Sequence, residues 1–377
     1  MKLAFIFIAE AYQLYHAAAV LFELVDREDV TVDVFHIDPA VPHHLEKLRK
    51  VHNASPVRSE HLEAGLLGKA IQATRLLGLA KPQVLAKNEA RFASYDAVIS
   101  TEDGIVFLFK GIPEHQRPQR ILITHGVAQR SFPSIKSWVD CDLILANSAA
   151  DIAAYGNAGC QHLDRLVSAG YPKFVSTRLL SSATKSFFDN PNPVVMYNPH
   201  KEPKERSWDR FFEPLMDGFA NDPSMNLIVA PHVKLFRRRS ERLRSKLRAR
   251  STANVIVDPG SEQSLDNTYS EAADIYVGDV SSQVFEFIYR PRPCVFLNAH
   301  NVDWQDNPQY AFWHLGEVVS DPAEVMAAIK RAPERHHEFK DRQAATAASS
   351  LGDPSEASVI RSADLIQNFV RTRQRPQ

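Results

Sequence analysis

The chain has 377 residues, of which 44 are Lys or Arg and 45 are Asp or Glu, for a formal net charge of −1. That balance excludes a protein that wraps a polyanion by bulk charge, and 44% hydrophobic content over this length predicts two packed domains. Three widely spaced cysteines, Cys141, Cys160 and Cys294, exclude a disulfide framework or a Cys-rich zinc module and fit a reducing cytoplasm.

The first apolar run, Leu3–Ala9, stops at Glu10 without a small-residue cleavage pattern, so it reads as a buried strand and not as a signal peptide. No run approaches the roughly 20 apolar residues that cross a bilayer. Short runs rich in branched residues alternate with helix-like stretches, the α/β pattern of parallel strands joined by crossover helices. In the first half the predicted strands are Leu3–Ala9, Val30–Ile37, Ala97–Ser100, Ile121–Thr124 and Leu143–Ala146, with a helix across Leu62–Asn88. The second series is Val194–Tyr197, Leu227–Ala230, Val255–Val257, Ile275–Gly278 and Cys294–Leu297. Turn formers cluster in Ser181–Pro193, which places the linker there. Ser358–Arg373 is expected to form a helix that packs back on the first domain. The resulting division is residues 1–185, 186–350 and a returning segment, 351–377.

Open parallel sheets bind ligands beyond the carboxyl ends of their strands, so the residues just after each apolar run carry the interest. Gly278-Asp279-Val280-Ser281-Ser282 follows one strand, and Ser281 or Ser282 is placed to cap a helix whose first N–H groups suit a phosphate or diphosphate. The same residues also suit a plain Ser cap with a locally bonded Asp279. Glu286, about one helical turn on, either reaches a ribose hydroxyl or faces water. His125-Gly126 ends another strand, with histidine as the usual general base and glycine allowing close backbone approach, although a strand-end histidine is often structural. His232 with Lys234, and His200 with Lys201, form two further strand-end clusters with cationic character suited to a leaving diphosphate.

Metal-ligand spacings are absent: there is no His-Glu-x-x-His, and Asp140-Cys141-Asp142 precedes its strand, at the wrong end of the sheet. No metal and no cofactor is expected. Phosphate loops of the Walker type, the Gly-x-Gly-x-x-Gly fingerprint and the Gly-x-Ser-x-Gly elbow are also missing. The one dense basic patch runs from Phe236 to Arg250, where a helix with Phe236, Leu243 and Leu247 as a thin apolar stripe would display Arg237, Arg238, Arg239, Arg242 and Arg244. Such a face is either simply solvated or holds anionic lipid head groups or a phosphate-rich polymer. Without interleaved aromatics it does not fit nucleic acid.

The run Ala273-Asp274-Ile275-Tyr276-Val277-Gly278-Asp279-Val280-Ser281-Ser282, followed by Phe285-Glu286-Phe287 and Arg292-Pro293-Cys294, resembles the signature of the CDP-glycerol glycerophosphotransferase family of teichoic-acid polymerases and primases. Thr124-His125-Gly126, Gly170-Tyr171-Pro172-Lys173, Tyr197-Asn198-Pro199 and Pro231-His232 resemble further elements of that family in the same order. The resemblance implies a GT-B fold, with two Rossmann-like domains whose parallel sheets face a central cleft. It implies an acceptor-binding first domain, a second domain that binds a CDP-linked or other nucleotide-linked donor, His125 as the base and His232 at the donor phosphates. Tyr197, Pro199, His200, Lys201, Lys234, Gly126, Asp279, Ser281, Ser282 and Glu286 are the remaining expected donor-site residues. The implied activity is transfer of glycerol phosphate, or a related polyol phosphate, to a hydroxyl of a glycan or lipid-linked acceptor in cell-wall or capsule synthesis. The protein would then be cytoplasmic and peripheral at the inner membrane face. Where the family has Thr and a basic residue after Tyr-x-Pro, this chain has His200-Lys201, beside the donor. A nucleotide-sugar glycosyltransferase or epimerase is therefore one alternative, and a catalytically silent nucleotide- or polymer-binding module is another.

Overall fold

In the computed structural model, residues 1–63, 65, 77–126, 140–160, 162–184, 186–237, 239–281 and 283–376 are described. The chain divides into two compact units, residues 1–180 with 349–377, and residues 181–348.

The first unit is built on a seven-stranded sheet of order β3-β2-β1-β4-β5-β6-β7, all neighbours parallel. Its strands are β1 (Lys2–Phe7), β2 (Thr31–His36), β3 (Arg58–His61), β4 (Ala97–Ser100), β5 (Gln119–Ile123), β6 (Leu143–Ala146) and β7 (Leu166–Ser168). The central runs are buried on both faces, which is why they are continuously apolar instead of alternating. Chain order reverses between β1 and β4, so the carboxyl ends of these two strands flank a topological switch point.

The second unit carries a six-stranded parallel sheet of order β10-β9-β8-β11-β12-β13, with β8 (Val194–Asn198), β9 (Asn226–Val229), β10 (Val255–Val257), β11 (Ile275–Gly278), β12 (Cys294–Leu297) and β13 (Glu317–Val319). The helix Trp208–Asn221 lays Phe211, Phe212, Leu215 and Phe219 on this sheet, and the helix Val325–Arg335 adds Val325, Ala328 and Ile329 to the same core. Here the order reverses between β8 and β11, so the loops that begin at Pro199 and Asp279 lie side by side.

The C-terminal helix, Glu356–Thr372, packs back on the first unit as expected. Val359, Ala363, Ile366 and Phe369 are its buried face, and Arg27 of the helix Leu14–Val25 region pairs with Asp364 at 2.7 Å. The turn that aims this helix is made against Gly170, where φ is +94° and an added Cβ would lie 2.5 Å from the Asp353 carbonyl. Tyr171 N donates to that carbonyl at 2.8 Å.

Two expected helices have other ends than the sequence pattern suggests. Leu77–Phe92 is helical and runs past the expected end at Asn88, and residues 64 and 66–76 lie outside the described residues. The basic helix runs only from Glu241 to Arg248, because the extended Ser240 accepts from Leu243 N at 3.3 Å and starts the helix there. Phe236 therefore does not join Leu243 and Leu247 on a helical stripe; it is buried against Trp208, with ring centroids 4.9 Å apart.

Candidate functional site

In the second unit the switch point gathers three strand-end loops around one carboxylate. Asp279, buried just after β11, accepts from His200 N at 2.9 and 3.0 Å, from Ser207 N at 2.6 Å, from Ser207 Oγ at 2.9 Å and from Val280 N at 2.6 Å. Its own carbonyl accepts from Trp313 Nε1 at 2.7 Å. An acceptor-only group surrounded by donors holds each of them in place, so Asp279 fixes the loop after β8 from inside. Tyr197 extends this network: its hydroxyl meets Ser207 Oγ at 2.9 Å, and burial pushes its phenol well above the usual range. Pro199 ties the second loop to the third through its carbonyl, which accepts from His232 N at 2.9 Å.

The two histidines brought together here have rings 5.5 Å apart, edge to face. Lys234 N donates to His232 Nδ1 at 3.1 Å, so that nitrogen is the acceptor and the neutral ring carries its hydrogen on Nε2. Burial, with His200, Lys201 and Lys234 as cationic neighbours, pushes the His232 pKa down to about 3. His232 is thus a neutral N–H donor across the physiological range. His200 Nδ1 lies 2.9 Å from Glu205 Oε2, and Lys201 Nζ is 3.3 Å from Glu202. Lys234 is exposed at the rim.

Farther along, Ser281 Oγ accepts from Gln283 N at 3.3 Å and opens a helix of five residues, Gln283–Phe287. Ser282 lies outside the described residues. Glu286 is buried and accepts from Asn267 Nδ2 at 2.6 Å, which turns its carboxylate toward the segment before the helix Thr268–Ala272.

The basic segment lies between β9 and β10. Arg239 and Arg242 are exposed, Arg244 pairs with Glu241 at 2.6 Å, and Arg237 is half-buried. Arg238 lies outside the described residues.

In the first unit His125 follows β5 by two residues, and its Nδ1 lies 2.6 Å from the Thr101 carbonyl. A carbonyl only accepts, so Nδ1 carries the hydrogen and Nε2 keeps its lone pair. Burial lowers the His125 pKa, which favours that neutral form. Gly126 follows with φ +76° and open space where a Cβ would be, and its carbonyl accepts from Asn147 Nδ2 at 2.6 Å.

The strand-end rule also reaches residues that inspection of the apolar runs passed over. Glu102, two residues past β4, accepts from Gln13 Nε2 at 2.7 Å and is paired with Lys81. His16, with its ring 5.8 Å from that of His125, sits in the apolar helix Leu14–Val25, where nothing local marks it. Glu205, seven residues past β8, carries no spacing signal either. The Asp140-Cys141-Asp142 pattern is structural: buried Asp142 accepts from Arg117 Nη1 at 2.5 Å and Nη2 at 2.8 Å. Among the described residues no group of three or more His, Cys, Asp or Glu is placed to hold a metal ion.

No protein-family model matches the sequence, and no curated protein is significantly similar to it. Solved structures are. The UDP-GlcNAc 2-epimerase from Neisseria meningitidis bound to UDP-GlcNAc is similar over 98% of this chain and 100% of its own, with TM-score 0.65 and 12% identity. The wall teichoic acid polymerase TagF is similar over 99% of this chain and 89% of its own, with TM-score 0.66 and 12% identity. The S. aureus MnaA–UDP structure covers 100% and 99%, with TM-score 0.64 and 12% identity. The fold is GT-B. At these identities the likeness is one of architecture. Among the described residues no helix is long and apolar enough to cross a membrane.

Proposed function

We propose that the chain is a transferase of cell-envelope polymer synthesis that moves glycerol phosphate, or a related polyol phosphate, from a CDP-linked donor to a hydroxyl of a glycan or lipid-linked acceptor. The observation that carries this reading is the contact of His125 Nδ1 with the Thr101 carbonyl, which leaves a neutral imidazole with a basic Nε2 at a strand end. His125 takes the acceptor proton as the hydroxyl oxygen attacks phosphorus. His232, a neutral donor at Nε2, and the cations Lys201 and Lys234 meet the negative charge that grows on the departing nucleotide. Gly126 leaves room for close approach beside the base. Asp279, Tyr197 and Pro199 hold the donor loops, and Ser281 and Glu286 line the turn after β11; Ser282 belongs with them by sequence. Residues 1–185 with the returning segment 351–377 serve the acceptor, and residues 186–350 serve the donor. Exposed Arg239 and Arg242 supply a cationic face for an anionic membrane surface or polymer.

Turnover of CDP-glycerol by wild type and His125→Gln tests the reading. Loss of a positioned general base lowers kcat by about 10²–10⁴-fold with little change in donor affinity; equal turnover overturns it. One observation favours a second reading, a UDP-sugar epimerase or glycosyltransferase: the epimerase structure fits this chain at TM-score 0.65 against 0.66 for the polymerase. Calorimetry with CDP-, UDP- and GDP-linked compounds separates the two, and binding without any turnover identifies a silent module.

A further inference from the structure

We infer that Glu205 is a positioning residue that makes His200 the proton donor to the departing nucleotide, an inference that rests on the transferase reading above. A carboxylate oxygen only accepts, so at 2.9 Å from Glu205 Oε2 the His200 Nδ1 carries a hydrogen. The Glu202 amide approaches the same nitrogen at 3.4 Å, a longer and weaker contact than the 2.9 Å approach of the carboxylate. Gln309 Nε2 donates to the other carboxylate oxygen, Glu205 Oε1, at 2.9 Å, so both oxygens are engaged and the carboxylate is held in one orientation. The ring is anchored as well: His200 N is clamped by Asp279, which fixes the Cα, and the Glu205 contact fixes the rotation of the imidazole.

This is an arrangement in which a carboxylate stabilises an imidazolium. The neighbouring histidine has the opposite pattern. His232 accepts at Nδ1 from a backbone N–H, has no carboxylate against it among the described residues and stays neutral. Two rings 5.5 Å apart therefore divide the work: one exchanges a proton and the other only donates a hydrogen bond. Among the described residues, the charged and titratable groups around His200 include Glu205, Glu202 and Lys201 on its own loop, His232 and Lys234 on the loop after β9, and Asp279 after β11, whose carboxylate is spent on backbone donors and the Ser207 hydroxyl. Glu205 is the carboxylate in direct contact with the ring.

The step balances. The acceptor oxygen forms its bond to the transferred phosphorus and loses its proton to His125 Nε2. The bond from that phosphorus to the bridging oxygen breaks, and its electron pair stays on the nucleoside monophosphate. That oxygen takes the proton from His200 Nε2, leaving a neutral His200 still bonded through Nδ1–H to Glu205.

The test is a ring titration of His200 by NMR in the full chain, wild type against Glu205→Gln, with Glu205→Asp as the conservative variant. Replacing the carboxylate by an amide moves the His200 midpoint to lower pH by about one unit, and Glu205→Asp restores part of that shift. Identical midpoints in wild type and Glu205→Gln overturn the inference, because a merely structural Glu205 leaves the titration where it is. The second arm is CMP binding by calorimetry at pH 6 and pH 8. Wild type binds CMP more tightly at pH 6, and Glu205→Gln removes most of that gain; a wild-type affinity that is the same at both pH values overturns the leaving-group step. If wild type binds no nucleotide at either pH, the transferase reading itself falls, and the titration still decides whether Glu205 governs His200.

Discussion

In the proposed reaction histidine carries most of the chemistry, and its protonation is set one contact at a time. His52 shows the stability side of the same rule. It ends the helix Val41–His52, its Nε2 meets Ser176 Oγ at 2.8 Å, its ring lies 5.3 Å from Phe22, and burial lowers its pKa to about 4. The folded value is below the unfolded value of about 6.5, so the unfolded chain binds the extra proton. The stability that follows is fully present above pH 6.5 and is lost as the pH falls toward 4. His52→Gln keeps a hydrogen-bonding group for Ser176 and does not titrate. Urea melts at pH 7.5 and pH 5 are expected to show wild type losing about 1–2 kcal/mol more than the variant over that interval, after discounting for partial exposure. Parallel losses would remove burial of His52 as the cause.

At the scale of elements, the docking of the C-terminal helix depends on the absence of one methyl group. Gly170 has φ +94°, and a Cβ there would come within 2.5 Å of the Asp353 carbonyl and 2.6 Å of Ser358 Cβ. Backbone cannot yield as a flexible side chain does, so Gly170→Ala is expected to cost about 2–4 kcal/mol, combining a left-handed φ with overpacking. Hydrogen exchange should rise in Glu356–Thr372 first; unchanged exchange there would refute the docking role. The sequence shows these elements unevenly. The strands at the centre of each sheet are legible because burial on both faces demands unbroken apolar runs such as Ala97–Ser100 and Ile275–Gly278. Three strands escape that test: Arg58–His61, Leu166–Ser168 and Glu317–Val319, all at sheet edges. An edge strand has one neighbour and less burial, so it can be short or polar and leave no hydrophobic pattern, although the edge strand Val255–Val257 keeps an apolar run. The candidate residues of each unit divide in the same way. His125, His200, His232 and Asp279 stand directly behind readable strands. Glu205 and Gln309 act through the path of a loop, and His16 is hidden in an apolar helix, so only the folded chain brings them into place.

For the whole molecule, two sheets with separate switch points predict separate responses to ligand. A nucleoside diphosphate at 100 times its Kd stabilises the state it binds by about 2.7 kcal/mol. Hydrogen exchange on the intact chain with CDP-glycerol is expected to slow in residues 198–207, 230–235 and 278–281. Residues 352–372 should be unaffected by the nucleotide alone. Equal protection of both regions would sink the assignment of the donor to the second unit.

The returning helix also fixes an order of events during synthesis. Every strand of the second unit lies between residues 194 and 319, so its sheet is complete while the first unit still lacks residues 356–372. Until those residues leave the ribosome, the Gln119 amide has no Phe369 carbonyl to bond at 3.3 Å, and the apolar surface that Ile366 and Phe369 cover is open to water. The half of the molecule that is translated first is therefore the half that finishes folding last.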